Sequence, residues 1–258
     1  MHHRAALGVA LAALLAATAR ADDKSYCNLK AIGTGHVQAV MDGRTVRMTD
    51  GREVRLAGIE APESARAALE ALVSGREVAL MRLGAETDRY GRVVALVAMQ
   101  PAKSGPSVQQ ALLAQGQARV SAHIGDKACA AAFLGAENTA RRAGLGLWAD
   151  PYYVMRNAED LAGILAIRGH FAVVEGKVLS VRESGGTIYV NFGRRWSEDF
   201  TVTVPKRSER TFTAAGMELK KLAGQHVRVR GTIEERGGPW IEAVTPEQIE
   251  IAERNQAP

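Results

Sequence analysis

The sequence lacks several features that would assign it to a functional class. It contains only two cysteines, and neither has a neighbouring histidine, so the pair does not form a zinc site. Beyond the N-terminal segment, no apolar run is long enough to anchor the chain in a membrane. The histidines of the later chain also lack the spacing of metal ligands; they are His36, His123, His170 and His226.

A strong charge excess is also absent. The formal net charge is +5 at pH 7, yet residues 22–150 hold 16 basic and 14 acidic side chains, and residues 151–258 hold 15 and 14. A protein that binds duplex nucleic acid mainly through its electrostatic field carries a much larger excess. The composition is globular, with 47% hydrophobic and 24% charged residues, and 258 residues suffice for one large domain or two small ones.

The first 21 residues have the pattern of a signal peptide. Residues 2–4 form a short polar start, and the apolar run 5–17 is too short to span a bilayer as a mature helix. Residues 19–21, Ala-Arg-Ala, then fit the small-x-small cleavage rule. The alternative, a buried N-terminal helix, is disfavoured by the charged residues 22–24. We therefore expect an exported protein, periplasmic or secreted, whose mature chain begins at Asp22.

The two cysteines, Cys27 and Cys129, form one pair in a chain that is expected to be exported. An oxidising compartment favours a disulfide between them. Such a bridge would tie the mature N-terminus to a helical region near the middle of the chain. Two separate thiols are the alternative, because the spacing of the two residues does not decide between them.

The stretch 42–63, DGRTVRMTDGREVRLAGIEAPE, is predicted to form a hairpin that ends in a charged corner. Apolar residues alternate with arginines over 45–48 and again over 53–56, and residues 49–51 supply a tight turn. Pro62 then stops the second strand. The corner places two carboxylates beside the arginine of the preceding strand, which suits a general base next to a bound phosphate.

Three segments of this chain resemble the staphylococcal nuclease-like (thermonuclease-like) family in order and in spacing. They are RLAGIEAPE at 55–63, TDRYGR at 87–92 and a closing GLGLW at 144–148. The resemblance covers roughly residues 30–150. It implies a small barrel of the oligonucleotide-binding (OB) type and hydrolysis of phosphodiesters, with single-stranded nucleic acid as the partner.

The resemblance also assigns roles to individual residues. Glu63 would activate a water, while Arg55 and Arg92 would bind the phosphate and stabilise the charge of the transition state. Arginine suits this task because its guanidinium binds phosphate oxygens in pairs. The implied catalytic residues are thus Arg55, Glu63 and Arg92, and the implied substrate-binding residues are Arg44, Asp88 and Tyr90.

The chain departs from the family at the calcium site. Family members bind calcium through an aspartate in a D-G-D-T turn and a second aspartate before the acidic corner, both oxygen ligands. Here the turn is DGRT, so Arg44 stands at the first ligand position and Glu60 at the second. Exchanging a carboxylate for a guanidinium costs on the order of several kcal/mol of calcium affinity. We therefore expect a degenerate metal site and no ordinary calcium cofactor.

Three hypotheses follow for this corner. In the first, Arg44 replaces the metal as a fixed cation, pairs with Glu60 and the substrate phosphate, and hydrolysis persists without calcium. In the second, catalysis is lost and Arg44, Arg55 and Arg92 hold a phosphate, so that the protein binds nucleic acid or a partner. In the third, the charged side chains only tie turns together.

The rest of the chain predicts a second domain. Helices are predicted over 64–74, 107–115 and 127–142, followed by a helical linker over 151–167. Strand-like runs then recur in residues 168–251, with a helix over 214–222 among them. The predicted fold class is mainly β with helices (α+β). It comprises two OB-type five-stranded barrels, in residues 28–150 and 168–251.

The second domain also contains aromatic residues close to basic ones. Tyr189, Phe192, Trp196 and Phe200 lie near the basic pairs 194–195 and 206–207. Aromatic rings interleaved with cations are the ingredients of a platform for single-stranded nucleic acid. The alternative is that these rings belong to the hydrophobic core.

Overall fold

The computed structural model describes residue 27 and residues 29–100, 105–195 and 197–252. The predicted signal peptide (1–21) and Trp196 lie outside the described residues. None of the helices within these ranges has the length and the apolar character that a membrane span requires.

The N-terminal half forms a closed barrel. Its elements, in chain order, are β1 (Ala31–Asp42), β2 (Thr45–Met48), β3 (Glu53–Leu56), β4 (Ile59–Glu60), α1 (Arg66–Val73), β5 (Glu77–Thr87), β6 (Val93–Met99), α2 (Val108–Ala114), β7 (Arg119–Val120) and α3 (Lys127–Arg142). The barrel strands are hydrogen-bonded in the order β1-β2-β3-β6-β5. Strands β3 and β6 run parallel, and the other neighbours run antiparallel. The first predicted barrel is thereby confirmed.

The hairpin of β2 and β3 follows from its alternating sequence. The apolar residues of both strands are buried in the core of the barrel, whereas Arg47 and Arg55 lie between them on partly exposed positions. Successive side chains of a strand point to opposite faces, so each arginine is directed away from the core. Gly51 adopts φ +86° in the reversal, a conformation that favours glycine.

Two helices are fixed by capping residues. Helix α3 begins at Lys127 because the side chain of Asp126 accepts a hydrogen bond from the backbone N–H of Cys129. Helix α2 begins after Ser107, which forms a reciprocal capping box with Gln110. Buried Gln109 then joins α2 to β6, since its side chain donates to the carbonyl of Ala95 and accepts from the N–H of Val97.

The two cysteines are bonded to each other in this structure. The disulfide joins Cys27 to Cys129 in the first turn of α3, and the Cα atoms lie 4.9 Å apart. Both residues are buried within the core of the first barrel. The bridge therefore holds the chain that precedes β1 against α3.

In the C-terminal half, the strands are divided between two sheets. Its elements are β8 (Arg156–Asn157), α4 (Leu161–Leu165), β9 (Phe171–Lys177), β10 (Ser180–Ser184), β11 (Thr187–Asn191), β12 (Thr201–Pro205), α5 (Glu209–Ala214), β13 (His226–Thr232), β14 (Glu234–Arg236), β15 (Gly238–Glu242) and β16 (Ile249–Ile251). One sheet has the order β10-β11-β12-β15-β14, and the other has the order β16-β13-β9-β8. The second predicted barrel is therefore not confirmed.

The chain passes between the two sheets at two corners, where a strand of one sheet is followed directly by a strand of the other. Residues 178–179 separate β9 from β10, and residue 233 separates β13 from β14, so each of these chain segments passes from one sheet into the other. Strands β12 and β15 run parallel, as β3 and β6 do in the first half. The order of pairing resembles that of the first barrel, but the breaks at the corners divide it into two sheets.

Two predicted helices are corrected by the structure. The predicted linker helix over 151–167 is reduced to α4, because Asp160 caps a helix that begins only at Leu161. The preceding residues form turns and β8, which pairs with β9. The predicted helix over 214–222 is also wrong, since α5 ends at Ala214 and Gly216 follows with φ +87°.

The two halves meet at a buried ion-pair cluster. The Arg230 guanidinium of β13 donates to the carboxylate of Glu137 on α3, at 2.9 and 3.2 Å, and to the carbonyl of Val120 at 3.0 Å. It also pairs with Glu250 of β16. Arg230 and Glu137 are fully buried, so this cluster forms part of the interior between the halves.

Candidate functional site: an arginine cluster on the first barrel

The turn between β1 and β2 is packed directly against the acidic corner. The carboxylate of Asp42 accepts the backbone N–H of Arg44 at 2.8 Å, which fixes the turn. Gly43 lies so close to the corner that an added Cβ would approach the carbonyl oxygen of Pro62 to 1.9 Å. Only glycine leaves room for this contact. The packing therefore brings Arg44 to the acidic corner although the two segments are separated by the whole hairpin.

The Arg44 side chain forms an ion pair with the corner itself. Its guanidinium pairs with the carboxylate of Glu60 and also donates to the carbonyl of Ile59 at 3.2 Å. The two charged side chains are 22% and 34% exposed, so water and solutes reach the pair. A fixed positive charge thus occupies the position that the family resemblance gives to a calcium ligand.

Arg55 lies close enough to Arg44 and Arg92 for their charges to act on it. It is half-buried on β3, directly across from Thr45 of β2. Burial lowers the pKa of Arg55, and the neighbouring charges of Arg44 and Arg92 lower it further. The carboxylates of Asp42 and Glu60 oppose this shift. Among the described residues, none forms a hydrogen bond or an ion pair with the Arg55 guanidinium, which leaves its donors available to an anion.

Arg92 is held by the turn that precedes β6. The carboxylate of Asp88 pairs with the Arg92 guanidinium at 2.6 Å and accepts the backbone N–H groups of Tyr90 and Arg92 at 2.9 and 3.1 Å. Burial by itself would raise the pKa of Asp88, but these hydrogen bonds outweigh it and hold the pKa below its ordinary value. The carboxylate therefore remains charged well into the acidic range, and Arg92 remains paired there.

Tyr90 lies at the surface of the same turn. Its side chain is 66% exposed, and the guanidinium groups of Arg89 and Arg92 lie 4.7 and 5.1 Å from the centre of its ring. Asp88 and Tyr90 were both predicted to bind substrate. The structure places Asp88 as the residue that positions Arg92, and it leaves the Tyr90 ring open to a ligand.

Glu63 has its ion pair outside the arginine cluster. It begins a 3-10 turn, Glu63–Ala65, and its side chain is 67% exposed. Its ion pair is with Arg66, at 3.6 Å. Of the three residues predicted to be catalytic, the structure brings Arg55 and Arg92 together with Arg44. It directs the carboxylate of Glu63 to a different neighbour.

The donor set at the corner does not fit calcium. Calcium requires several oxygen ligands, mostly anionic, whereas here the guanidinium of Arg44 lies on the carboxylate of Glu60 and the carboxylate of Asp42 accepts from its own turn. In the described part of the chain, the cluster of potential metal ligands is Cys27, Asp126 and Cys129, and its two sulfurs form the disulfide.

A buried arginine behind the corner was not predicted to have a role. Arg119 of β7 lies directly opposite Glu60 of β4, and its guanidinium lies 5.1 and 5.0 Å from the ring centres of Tyr153 and Phe171. Burial lowers the pKa of Arg119, against the opposing charges of Glu137 and Glu60. Arg119 thus connects the acidic corner to the second half of the chain. No short-range pattern could have revealed this, because its partners are remote in sequence.

The geometry of the barrel and its corner agrees with the comparison of the sequence with known families. Residues 53–150 match the sequence model of the staphylococcal nuclease homologue family. These residues form a staphylococcal nuclease homologue domain. The match begins at β3, so it includes Arg55, Glu60 and Arg92 but not Arg44. Among curated proteins, none matches the chain.

The nuclease homologue domain also includes strands that precede the matched residues. Strands β1 and β2, which close the barrel, lie before residue 53. The turn that carries Arg44 joins these two strands. Arg44 therefore lies in a part of the barrel that the family match does not cover.

Proposed function

We propose that the nuclease homologue domain binds the phosphodiester backbone of single-stranded nucleic acid at Arg44, Arg55 and Arg92, without calcium. The observation that supports this is the unpaired guanidinium of Arg55 near two other cations. Arg44 and Arg92 each have a carboxylate partner, whereas Arg55 has none among the described residues. A phosphate would supply the missing negative charge through paired hydrogen bonds.

A second candidate function is hydrolysis of the same backbone without calcium, with Glu63 as the general base. The carboxylate of Glu63 is exposed and is engaged only by the 3.6 Å ion pair with Arg66, so it is available to rotate toward a bound phosphate. A domain without a metal lacks the Lewis acid that supplies much of the rate in many nucleases. Binding is therefore the main proposal, and cleavage is the outcome that would extend it.

The deciding experiment measures both functions on one labelled single-stranded DNA, by anisotropy for binding and by gel for cleavage, in chelator and in calcium. The Arg55→Gln variant is expected to bind at least about tenfold more weakly, because it removes a charge-assisted contact. Arg47→Gln is the matched control, since Arg47 lies on β2 and pairs with Glu53. Equal binding by the wild-type protein and Arg55→Gln would contradict the proposal.

Two further variants separate binding from hydrolysis in that experiment. Cleavage in chelator that Glu63→Gln abolishes would establish metal-independent hydrolysis, whereas cleavage that survives Glu63→Gln would rule out this base. Arg44→Asp restores a carboxylate next to Glu60 and is expected to gain calcium binding. Cleavage gained by Arg44→Asp only in calcium would mark the parent as a binding protein derived from a nuclease fold.

We also propose that the protein is exported and that its mature chain begins at Asp22. The cleavage pattern at residues 19–21 supports this. A disulfide between Cys27 and Cys129 is also in keeping with an oxidising compartment. N-terminal sequencing of the protein recovered from the periplasm or the medium is expected to start at Asp22. Recovery from the cytoplasm with residues 1–21 intact would contradict export.

A further inference from the structure

The five-stranded sheet of the second half has one apolar face and one polar face. Its inner face carries Val181, Val190 and Val202. Val190 and Val202 are fully buried in the core, and Val181 packs against it. On the outer face, Arg182 of β10 lies opposite Tyr189 of β11, and Tyr189 lies opposite Thr203 of β12. The outer face is therefore built from polar and aromatic side chains in register.

A cavity of about 440 Å³ opens on this outer face. It is lined by Ser180, Arg182, Tyr189, Asn191, Gly193 and Arg194, from β10, β11 and the loop that follows β11. This volume falls within the range of pockets that hold small organic ligands, roughly 300–1,000 Å³. The cavity is thus large enough for a single nucleotide.

The charges that line this cavity are positive. Among the described residues, neither Arg182 nor Arg194 has an ion-pair or hydrogen-bond partner, and no carboxylate lines the cavity. A second cavity of about 230 Å³, which also borders Tyr189, has two carboxylates in its lining, Asp199 and Glu242, beside one guanidinium, Arg236. An anion would therefore bind in the larger cavity, where two guanidinium groups are available and no carboxylate repels it.

A buried polar atom in the same cavity also lacks a partner. Asn191 is only 5% exposed, and its amide nitrogen donates to the hydroxyl of Ser180 at 3.3 Å. Its carbonyl oxygen, Oδ1, has no hydrogen-bond partner among the described residues. A buried acceptor without a donor is unfavourable, and Oδ1 is closed to solvent, so a ligand that donates an N–H or O–H would stabilise the site once the Asn191 amide turns toward the cavity.

The aromatic residues of this region divide between the core and the outer face. Phe192 and Phe200 lie with ring centres 4.9 Å apart and pack in or against the core, so they do not form a binding platform. Tyr189 is partly exposed and borders both cavities. Among the described aromatic residues, Tyr189 is the one that lines the larger cavity, and one ring is enough for one base.

We propose that the larger cavity binds a nucleotide. Its phosphate pairs with Arg182 and Arg194, its base lies against the ring of Tyr189, and a donor of the base or sugar bonds to Oδ1 of Asn191. A free nucleotide and one unit of a single strand share this chemistry. The site is separate from the arginine cluster of the first barrel and does not depend on the function proposed there.

The test uses the full mature protein and three probes: adenosine monophosphate, a short single-stranded DNA and inorganic phosphate. Titration calorimetry is expected to show that Arg182→Gln and Arg194→Gln each weaken binding of the nucleotide about tenfold. Arg195→Gln is the matched control, because Arg195 is the next residue, is 76% exposed and pairs with Glu198. Its affinity for the nucleotide is expected to stay within about twofold of the wild type.

The contribution of the ring is tested by two substitutions of Tyr189. Tyr189→Ala is expected to weaken nucleotide binding about tenfold, whereas Tyr189→Phe retains the ring and the affinity. Thermal unfolding of each variant shows whether its sheet is intact. If Tyr189→Ala unfolds, the comparison of Arg182→Gln with Arg195→Gln still decides the proposal.

The probes distinguish the sources of the ligand. If DNA binds more tightly than the nucleotide and Arg182→Gln weakens that binding, the ligand is a nucleotide unit of a single strand. If the nucleotide binds more tightly than DNA, the ligand is a free nucleotide. The same titrations are repeated with every variant in an Arg55→Gln background, which removes the cation proposed to bind phosphate on the first barrel, so failure at the first barrel remains distinguishable from failure at this cavity.

The proposal would be overturned if the protein bound no nucleotide. It would also be overturned if Arg182→Gln and Arg194→Gln bound the nucleotide as tightly as the control Arg195→Gln. The proposal would also be overturned if inorganic phosphate bound as tightly as the nucleotide.

Discussion

Replacing Arg230 with alanine is expected to lower the free energy of unfolding by about 3–5 kcal/mol. Burial alone would lower the pKa of Arg230, but the charges of Glu137 and Glu250 outweigh burial and raise it, so the guanidinium is charged in the interior. Its removal leaves the fully buried carboxylate of Glu137 with the backbone N–H of Val120 as its remaining described donor. A charge without a partner in the interior is strongly destabilising.

Equilibrium unfolding in urea measures this loss. Arg195→Ala serves as the control, because its ion pair with Glu198 is exposed at 76% and 58% and should contribute only about 0–1 kcal/mol. The double variant Arg230→Met with Glu137→Leu is expected to recover much of the loss, since it removes both charges together. A decrease of less than about 1 kcal/mol in Arg230→Ala would show that water reaches the pair in solution.

The second large effect is expected from the disulfide. Changing Cys27 and Cys129 to alanine should lower the free energy of unfolding by about 4–5 kcal/mol, because the bridge closes a long loop in the unfolded chain. The two residues are 102 positions apart. The same urea titration, performed on the wild-type protein with and without a reducing agent, gives an independent estimate. Unfolding midpoints that are equal in all three samples would contradict the expected contribution.

The local structure of the first half could be predicted because short-range patterns determine it. The alternation over 45–48 and 53–56 specifies β2 and β3, and the helix predicted over 127–142 is α3, which the structure gives over the same residues. The order of motifs also predicted the barrel. These features depend on periodicity, turn residues and caps, each of which is contained within a few positions of the chain.

The candidate site was predictable only in part, because side-chain pairing depends on tertiary contacts. The sequence identified Arg44, Arg55 and Arg92, but it did not indicate that the Glu63 carboxylate has its ion pair with Arg66, three positions later. Residues that act across the two halves gave no signal at all. Arg119, for example, faces the rings of Tyr153 and Phe171, which follow it in the chain by 34 and 52 positions (153 − 119 and 171 − 119).

The second half was harder to predict for a related reason. Its strands were recognised, but the corners at residues 178–179 and 233 interrupt the pairing, and the alternating pattern does not reveal where a strand leaves one sheet for the other. The linker helix was overestimated because an apolar run such as 161–167 is compatible with a long helix. The residues before it form turns and the short strand β8 instead. Asp160 caps the helix that begins at Leu161.

The ion pair between Arg230 and Glu137 also constrains the order in which the chain becomes structured during synthesis. Glu137 leaves the ribosome 93 residues before its partner. Until β13 has been made, the carboxylate of Glu137 lacks the guanidinium of Arg230, so its burial by α3 is strongly unfavourable. The nuclease homologue domain is therefore expected to complete its folding only after most of the second half has been translated.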